Sequence, residues 1–369
     1  MREFIRFFLL GALALLLISW GYNGHYKINY NAELSYNLEM SQFIAWTSTL
    51  AAHASDADQR KSWDPSEGPK HYIDIDNYPD FYTTGRIPQT YDSVIALYGY
   101  NFVISQGILP WATMTTYDSL VECFRRFDWS KAVLFAADLG HYVADGHMPL
   151  HITRNYNGQY TNNYGIHSRY ESTMINTYLS QIVYSGDSIS LVTDVNGYIF
   201  EYLYHSYTFV DSILAADTYA QGVAGNTSSS AYRQALWEKT KSFTIPLFRD
   251  ASRSLAELIY SAWVEAEKPD MNSGPGIFEF GGREQSISVQ IYPSHIRESA
   301  TIKFDLPREE RVKMQVYSLQ GALLGTIADM VLPGGMNEII WKTDHYPSGT
   351  YLLVVSTTEG RGFKKVIKL

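Results

Sequence analysis

Cysteine is almost absent from this chain of 369 residues, because Cys123 is the single one. One cysteine cannot close a disulfide within the chain, and it cannot supply the several thiolates of a structural zinc site. Any metal site in this protein must therefore use histidine, aspartate and glutamate side chains.

Positive charge is also scarce, with 29 Lys and Arg residues against 38 Asp and Glu residues. Residues 286–369 hold ten basic and eight acidic residues, and residues 1–19 hold two basic and one acidic. Since the whole chain has a formal charge of -9, residues 20–285 carry -12. This acidic body argues against a large electrostatic footprint for duplex nucleic acid or anionic lipid.

The N-terminal apolar stretch, residues 7–18, is too short to span a bilayer comfortably. It follows Arg2 and Arg6, which together with it form the pattern of a signal peptide over residues 1–19. Cleavage after Ser19 would leave Trp20 first, although Leu17 is a poor residue near such a site. The alternative is an uncleaved anchor.

The rest of the chain predicts two domains of different class, an all-α domain followed by a small all-β sandwich. Its composition is that of a soluble globular protein, with 46% hydrophobic residues and a mean hydropathy of -0.18. Residues 20–268 show apolar residues at helical spacing, and Pro246 is expected to end or kink the last helix. The predicted helices cover residues 41–54, 118–127, 130–145, 168–185 and 231–267.

A Pro- and Gly-containing linker is predicted over residues 269–285. From residue 286 to residue 369 apolar and polar residues alternate in short runs that turns separate, which is typical of a β-sandwich. The predicted strands cover residues 286–292, 301–306, 311–317, 337–341 and 349–355.

Histidines and carboxylates recur at helical spacing in the α domain. His141 and Asp145 are four residues apart, and so are His167 and Glu171, so each pair projects from one helix face. His151 lies just beyond a proline that must end the first of these helices. Imidazole and carboxylate pairs of this kind are suited to zinc, although manganese or iron would also accept them.

Two further elements lie upstream of these pairs. Trp20 and His25 begin directly after the expected cleavage site, and Asp58 is followed by His71 in the sequence His-Tyr-Ile-Asp. Together, the set resembles the zinc-dependent phospholipase C and S1/P1 nuclease superfamily over residues 20–258. The resemblance implies an all-α fold that holds three zinc ions in a cleft.

The same resemblance implies three ligand sets. The first ion would be held by Asp58, His71, His141 and Asp145. The second would be held by His151, His167 and Glu171. The third would be held by the amino and carbonyl groups of Trp20, with His25 and a bridging Asp145.

General chemistry supports such a site. A free α-amine has a pKa of about 8, so it can lose its proton and bind metal near neutral pH. Asp58 is the expected catalytic carboxylate that orients or deprotonates water, and it is preferred over the nearby Asp56 as ligand. Arg60 or Lys61 is the expected phosphate clamp, with an ordinary surface charge as the alternative for both.

The substrate class is less sharply indicated than the reaction class. Tyr72 could stack on a base and Asp74 could accept hydrogen bonds from a base edge, which favours a nuclease on single-stranded nucleic acid. Glu171 as the last ligand resembles instead the phospholipase branch, whose substrate is a phospholipid. A competing hypothesis of another class is a non-enzymatic surface protein that metal ions stabilise.

The other histidines have weaker patterns. His53 and His147 are expected to lie beside the metal ligands, or at the surface in the case of His147. His205, His295 and His345 are expected to be structural or surface residues.

Short signals in residues 286–369 resemble the C-terminal sorting domain of type IX secretion substrates. They include Ile-Tyr-Pro-Ser from residue 291, Leu-Pro-Gly-Gly from residue 332 and Pro-Ser-Gly-Thr-Tyr from residue 347. The resemblance implies a secreted or cell-surface protein of a Bacteroidetes-type bacterium, with the type IX machinery as a partner and no stable membrane span. The alternative is a β-sandwich that binds carbohydrate or protein.

Overall fold

A computed structural model describes residues 21–271, 285–287, 289–293, 295–318, 323–357 and 360–369. The predicted signal peptide and Trp20 lie outside the described residues. The chain divides into two compact units, Met1–Pro275 and Gly276–Leu369. The predicted fold class is confirmed, since the first unit is helical and the second consists of β-sheets.

Thirteen α-helices are described in the first unit, with short 3₁₀ turns between several of them. They are α1 Gly21–Asn31, α2 Thr47–Ala52, α3 Asp56–Arg60, α4 Pro79–Thr84, α5 Tyr91–Tyr98, α6 Tyr100–Ser105, α7 Leu109–Arg125, α8 Trp129–Gly146, α9 Ile166–Ser168, α10 Ile175–Tyr178, α11 Val195–Tyr207, α12 Val210–Ala224 and α13 Ser230–Glu265.

The long helices α7, α8 and α13 pack against one another around a single hydrophobic core. Helix α8 begins where the Asp128 side chain accepts a hydrogen bond from the backbone N–H of Lys131, which satisfies one free donor of its first turn. Its second half, from Leu139 to Gly146, is buried on every side. A polar residue in that half must therefore face other polar groups, and this is where His141 and Asp145 lie.

Three predicted helices differ from the observed ones. Residues 38–46 form a 3₁₀ helix before α2, and residues 168–185 divide into a π-helical turn, Arg169–Met174, then α10 and a 3₁₀ turn. Helix α13 continues through Pro246, so of the two expected alternatives, an end or a kink at this proline, the end is wrong. The residues that follow, Leu247 and Phe248, are buried in the core, and their packing holds the helix together across the missing N–H.

The second unit contains nine described strands. They are β1 Gln285–Ser286, β2 Val289–Tyr292, β3 His295–Ile296, β4 Ser299–Leu306, β5 Glu310–Ser318, β6 Leu323–Leu332, β7 Gly335–Lys342, β8 Gly349–Ser356 and β9 Gly360–Lys368. One sheet has the order β1-β9-β8-β5-β6, with β3 also paired to β9, and the other has the order β2-β4-β7.

Both sheets contribute to one core, as expected for a sandwich. Ile302 and Phe304 of β4 are buried with Val312 of β5 and Leu353 of β8. Strand β6 is absent from the predicted strands, because its side chains do not alternate: Met330 and Val331 are both exposed, and its register to β5 shifts twice. Among the described residues, no helix is long and apolar enough to cross a membrane.

Candidate metal centre

Three segments that are distant in sequence bring polar side chains to the buried half of α8, which supplies two of its own. Helix α1 supplies His25, helix α3 supplies Asp58, and the 3₁₀ turn Gly68–His71 supplies His71. Helix α8 supplies His141 and Asp145, which lie one turn apart on one face. All five side chains are buried, so their charges and hydrogen-bonding groups need partners.

The first group of atoms has separations of the size expected between ligands of one zinc ion. His141 Nε2 lies 2.9 Å from His71 Nδ1 and 3.3 Å from Asp145 Oδ2, and the latter two atoms are 3.0 Å apart. Asp58 Oδ1 lies 3.5 Å from His71 Nδ1 and 3.7 Å from His141 Nε2. Zinc–ligand bonds of about 2.0–2.1 Å give a tetrahedron with edges of about 3.3 Å. The Asp58, His71 and His141 atoms therefore fit around a single ion, and Asp145 Oδ2 lies beside the two histidine nitrogens.

Asp145 reaches two neighbours with its two oxygens. Oδ2 belongs to the group just described, whereas Oδ1 lies 3.5 Å from His25 Nε2. The His25 ring is stacked on the His141 ring with 3.9 Å between centroids. His25, His141 and Asp145 thus form a second possible metal position, near the start of α1.

His151, His167 and Glu171 form a third group. His151 Nε2 is 3.4 Å from Glu171 Oε2, and His167 Nε2 is 3.1 Å from Glu171 Oε1. His167 is in α9 and Glu171 is in the π-helical turn that follows. Single π-helical turns often occur at functional sites, because the wider turn changes the direction in which a side chain points.

Buried polar atoms without hydrogen-bond partners support metal binding at these groups. Within the described part of the chain, neither ring nitrogen of His25 makes a hydrogen bond, nor do Asp58 Oδ2 and His151 Nε2. Leaving such groups buried and unsatisfied costs about 1–3 kcal/mol each, and more where the group is charged. The residues present therefore fit bound metal ions, with donor types that suit zinc.

Each histidine of the first and third groups has its other nitrogen facing an oxygen acceptor. Nδ1 of His141 is 2.7 Å from the Ala54 carbonyl, and Nδ1 of His151 is 2.6 Å from the His71 carbonyl. Nδ1 of His167 is 3.2 Å from the Tyr156 carbonyl. A hydrogen bond of this kind orients the ring and keeps the remaining nitrogen available as a ligand atom.

The remaining histidine of these two groups, His71, faces the Glu67 carboxylate with Nε2, at 3.6 Å from Oε1. Glu67 is 1% exposed and also accepts hydrogen bonds from Tyr142, from Lys70 at 2.8 Å and from Arg60 at 3.3 Å. Burial raises the pKa of this carboxyl, but the hydrogen bonds outweigh burial and hold the pKa well below its usual value. Glu67 is therefore an ionised partner for His71.

The electrostatics of the cluster favour neutral His25 and ionised carboxylates. Burial, followed by the neighbouring His141, lowers the pKa of His25 well below its ordinary value. Burial opposes ionisation of Asp145 and Glu171, but the adjacent histidines outweigh it and lower both pKa values. Although burial lowers the pKa of His141, Asp145 and Asp58 raise it to about 9. Metal binding at His141 must thus displace a proton at neutral pH.

Asp58 and Asp56 point to different places. Asp58 is buried in the first group, whereas Asp56 is about 40% exposed and pairs with His53 at 2.7 Å. His53 is itself about 42% exposed, so this ion pair lies at the surface and away from the ligand atoms. The structure thus brings Asp58 to the cluster and leaves Asp56 outside it.

The two cations expected to clamp phosphate occupy different positions. Lys61 Nζ is 2.6 Å from Asp58 Oδ1, directly beside the first group and partly exposed. The Arg60 guanidinium is bound to Asp138 at 3.0 Å and to Glu67 and Tyr142 at 3.3 Å each. Arg60 therefore supports Glu67 behind His71, and Lys61 is the cation closer to the carboxylate of the first group.

Tyr72 and Asp74 lie on the chain segment that leaves His71. Both are partly buried, and the Tyr72 carbonyl accepts a hydrogen bond from the Leu109 N–H at 3.2 Å. Burial, followed by the charge of Asp76, raises the pKa of Asp74 to about 7. At neutral pH this carboxyl can therefore either donate or accept a hydrogen bond.

A second buried network, which no sequence pattern signals, supports the third group from behind. Arg169 lies between His167 and Glu171, and it bonds both Asp217 oxygens at 2.9 and 3.0 Å and the Tyr232 hydroxyl at 2.8 Å. It also donates to the Tyr164 and Asn163 carbonyls. Arg169 thus ties the loop before α9 and the π-helical turn to α12 and α13.

The remaining histidines take no part in the three groups. His147 is buried, with Nδ1 2.7 Å from the Val143 carbonyl and its ring stacked on Tyr202. Burial lowers its pKa to about 4. His205 and His345 are exposed, and the side chain of His295 is outside the described part of the chain.

Comparisons with known proteins add the following. Residues 290–369 match the family model of the secretion system C-terminal sorting domain. No curated protein matches the chain. Alpha toxin from Clostridium absonum is similar at a TM-score of 0.41 and 8% identity, over 94% of this chain and 97% of that one. Alpha-toxin from an avian strain of Clostridium perfringens is similar at a TM-score of 0.40 and 10% identity, over the same shares.

The match to the sorting-domain model shows a secreted or cell-surface protein that the type IX secretion machinery recognises through its β domain. The resemblance that the short signals indicate is thereby confirmed for residues 290–369.

Proposed function

We propose that residues 20–268 form a secreted hydrolase of phosphodiester bonds that depends on three zinc ions. The observation that carries the proposal is the buried cluster of Asp58, His71, His141 and Asp145, in which the two histidine nitrogens lie 2.9–3.7 Å from each other and from the carboxylate oxygens. These residues come from α3, a 3₁₀ turn and α8, so chance clustering on one helix does not account for them.

The first ion would be held by that group. The second ion would be held by the group described third above, His151, His167 and Glu171. Asp145 Oδ1 and His25 would hold the third, together with the amino and carbonyl groups of Trp20. Bound zinc would supply Lewis acidity, lowering the pKa of a coordinated water and neutralising phosphate oxygens.

The protein's own groups would do the rest. Asp58 would orient the attacking water or take its proton, since it is the carboxylate of the first group that has some exposure, at 5%. Lys61 would donate to a phosphate oxygen, because its ammonium lies beside Asp58 and is 25% exposed. Glu67 and Tyr142 would keep His71 in its ligand orientation.

Single-stranded nucleic acid is the substrate that Tyr72 and Asp74 favour. The Tyr72 ring follows His71 directly, and Asp74, with a pKa near 7, can hydrogen-bond a base edge in either protonation state. Phospholipid is the second candidate, favoured by glutamate rather than aspartate at residue 171. The charge of -12 on residues 20–285 speaks against long polyanions and in favour of short or locally bound substrates.

Metal analysis and a substrate panel test the proposal. Processed protein should bind three zinc ions and hydrolyse bis(4-nitrophenyl) phosphate, and a chelator should abolish this activity until zinc is returned. Single-stranded DNA, RNA and phosphatidylcholine vesicles then separate the two substrate classes. Asp145→Asn should lose more than a hundredfold in rate, whereas Asp56→Asn, which is partly exposed and outside the groups, should retain it.

Two results would contradict the proposal. Zinc-loaded protein that hydrolyses none of these phosphodiesters would leave the competing hypothesis, a non-enzymatic surface protein with a structural metal cluster. Protein that retains activity in Asp145→Asn would place the reaction somewhere other than the described groups.

A further inference from the structure

A cavity of about 520 Å³ lies on the other side of Tyr142 from the metal centre. Its walls come from the starts of α5, α7 and α11, from the Gly68–His71 turn and from α8. None of the described metal-binding residues lines it. Its volume is in the range of small-molecule sites, which is roughly 300–1,000 Å³.

Tyr142 is the wall that the cavity and the metal centre share. Its ring centroid is 5.7 Å from that of His71 and 5.8 Å from that of His141, and the tyrosine also lines the cavity. Its hydroxyl is bound to Glu67, so this wall is held in place. A molecule in the cavity would therefore be separated from the ligand histidines by one aromatic ring.

The lining is mostly apolar and aromatic. Trp111, Tyr91, Ile108 and Met114 supply the apolar surface. The indole N–H of Trp111 is already bonded to the Gln89 carbonyl at 2.8 Å, so this ring is fixed and offers its carbon surface to the cavity. Such a lining favours a flat aromatic molecule, because ring contacts add to the free energy of area burial.

One cation meets this apolar surface. Lys70 lines the cavity, and its ammonium donates to Glu67 Oε2 at 2.8 Å. An ammonium has three N–H donors, so up to two remain for another acceptor. Arg60 also pairs with Glu67 and neutralises part of its charge. The positive charge of Lys70 is therefore not fully balanced by Glu67, and Lys70 can attract a second anion.

We propose that this cavity is a second binding site, which takes a small aromatic carboxylate with its rings against Trp111 and Tyr91 and its carboxylate at Lys70. The site is distinct from the phosphodiester site and does not need metal. It goes beyond the proposed hydrolase function, and its test gives the same answer whether or not the protein hydrolyses phosphodiesters.

Binding of 2-naphthoate to the full processed protein tests this site. Titration calorimetry should show saturable binding of one molecule per chain, in zinc-loaded and in chelator-treated protein alike. Lys70→Gln should weaken binding about tenfold, whereas the neutral analogue 2-naphthylmethanol should bind the parent and Lys70→Gln equally.

Variants with a larger side chain in the cavity provide a second test. Thr116 lines the cavity on α7, so Thr116→Leu should weaken 2-naphthoate binding and Thr116→Trp should abolish it. Ser119→Trp, at a position on the same helix that is partly buried like Thr116 but outside the lining, should bind like the parent. Thermal unfolding shows which variants are folded. If Thr116→Trp does not fold, the comparison is made between the parent and Thr116→Leu.

Two outcomes would overturn the assignment. One is the absence of saturable binding up to about 10 mM, which on the affinity scale is weaker than a specific site of this size requires. The other is equal binding by the parent and by folded Thr116 variants, since the probe would then sit elsewhere.

Discussion

At the residue scale, Asp145 is the carboxylate that lies between the first group and His25. One of its oxygens lies among His71 and His141, and the other faces His25. Full burial would ordinarily disfavour its charge, yet the surrounding histidines lower its pKa. A buried carboxylate that stays ionised, with each oxygen facing a different neighbour, is suited to bridging two cations.

Glu67 provides a prediction about the support of a ligand. Glu67→Gln removes the charge that faces His71 Nε2 but keeps the side-chain shape. We expect zinc affinity at the first site to fall about 10- to 100-fold, which is the usual cost of losing a partner behind a ligand histidine. Competition against a chromophoric chelator measures it.

An exposed glutamate is the matched control for that change. Glu238→Gln, whose side chain is 53% exposed on α13, should leave zinc affinity unaltered. Equal affinities for the Glu67 variant and the parent would show that His71 does not depend on this carboxylate.

Asp74 provides a pH-dependent prediction in metal-depleted protein. Its pKa is about 7 in the folded chain and about 4 in an unfolded one, so the folded state holds the extra proton between these values. Below about pH 4 Asp74 is protonated in both states, and its raised pKa costs the folded protein no stability. As pH rises to about 7 the folded protein loses stability, because ionised Asp74 is tolerated better in the unfolded chain. Asp74→Asn should therefore raise Tm by a few degrees at pH 8 and leave it unchanged at pH 4.

Thermal unfolding at both pH values measures the effect of Asp74→Asn. Asp92→Asn, at an exposed position of α5, is the control and should show no such pH dependence. A Tm difference for Asp74→Asn that is the same at pH 4 and pH 8 would contradict the raised pKa.

At the scale of elements, the ligand positions depend on one straight helix and one irregular turn. Helix α8 was foreseeable, since its apolar spacing and the His141–Asp145 interval are local patterns. The division of residues 168–185 into α9, a π-helical turn and α10 was not, because a hydrophobic period does not distinguish an α-helical from a π-helical turn. Arg169 and its buried partners hold that turn.

Asp217 provides the prediction at this scale. Asp217→Asn leaves the buried Arg169 charge without its counter-ion, which costs about 3–5 kcal/mol. For a domain of this size we expect Tm to fall by roughly 10 °C. Elemental analysis should show that one zinc ion is lost, from His151, His167 and Glu171.

An aspartate on the outer face of the same helix is the control for Asp217. Asp211→Asn, which is exposed at the start of α12, should keep both Tm and zinc content. If Asp217→Asn lowers Tm but keeps all its zinc, the network stabilises the fold without positioning the ligands.

At the scale of the whole molecule, export and metal binding would be linked through the N-terminus. The β domain matches a secretion sorting domain, and export would involve removal of residues 1–19. Only this removal would free the α-amine of Trp20, five residues before the buried and unsatisfied His25. The α-amine would act as a ligand because its pKa is far below that of a lysine.

Protein with an altered N-terminus provides the test. Protein that begins at Trp20 should bind three zinc ions, whereas protein with Gly-Ser added before Trp20 should bind two and lose most hydrolase activity. His25→Ala in protein that begins at Trp20 should lose the same ion. Extended protein with three ions and full activity would show that the α-amine is not a ligand.

The sequence by itself determined the two fold classes, the donor types of the proposed metal centre and the helical spacing of its candidate ligand pairs. These follow from composition and short-range periodicity, which report the chain's local preferences. Only the tertiary structure decided that Asp58 rather than Asp56 faces the cluster, that Arg60 lies behind His71, and that Glu67 and Asp217 support the ligands. Those contacts join residues up to 83 positions apart, such as Asp58 and His141, and packing of the helices alone sets which of them meet.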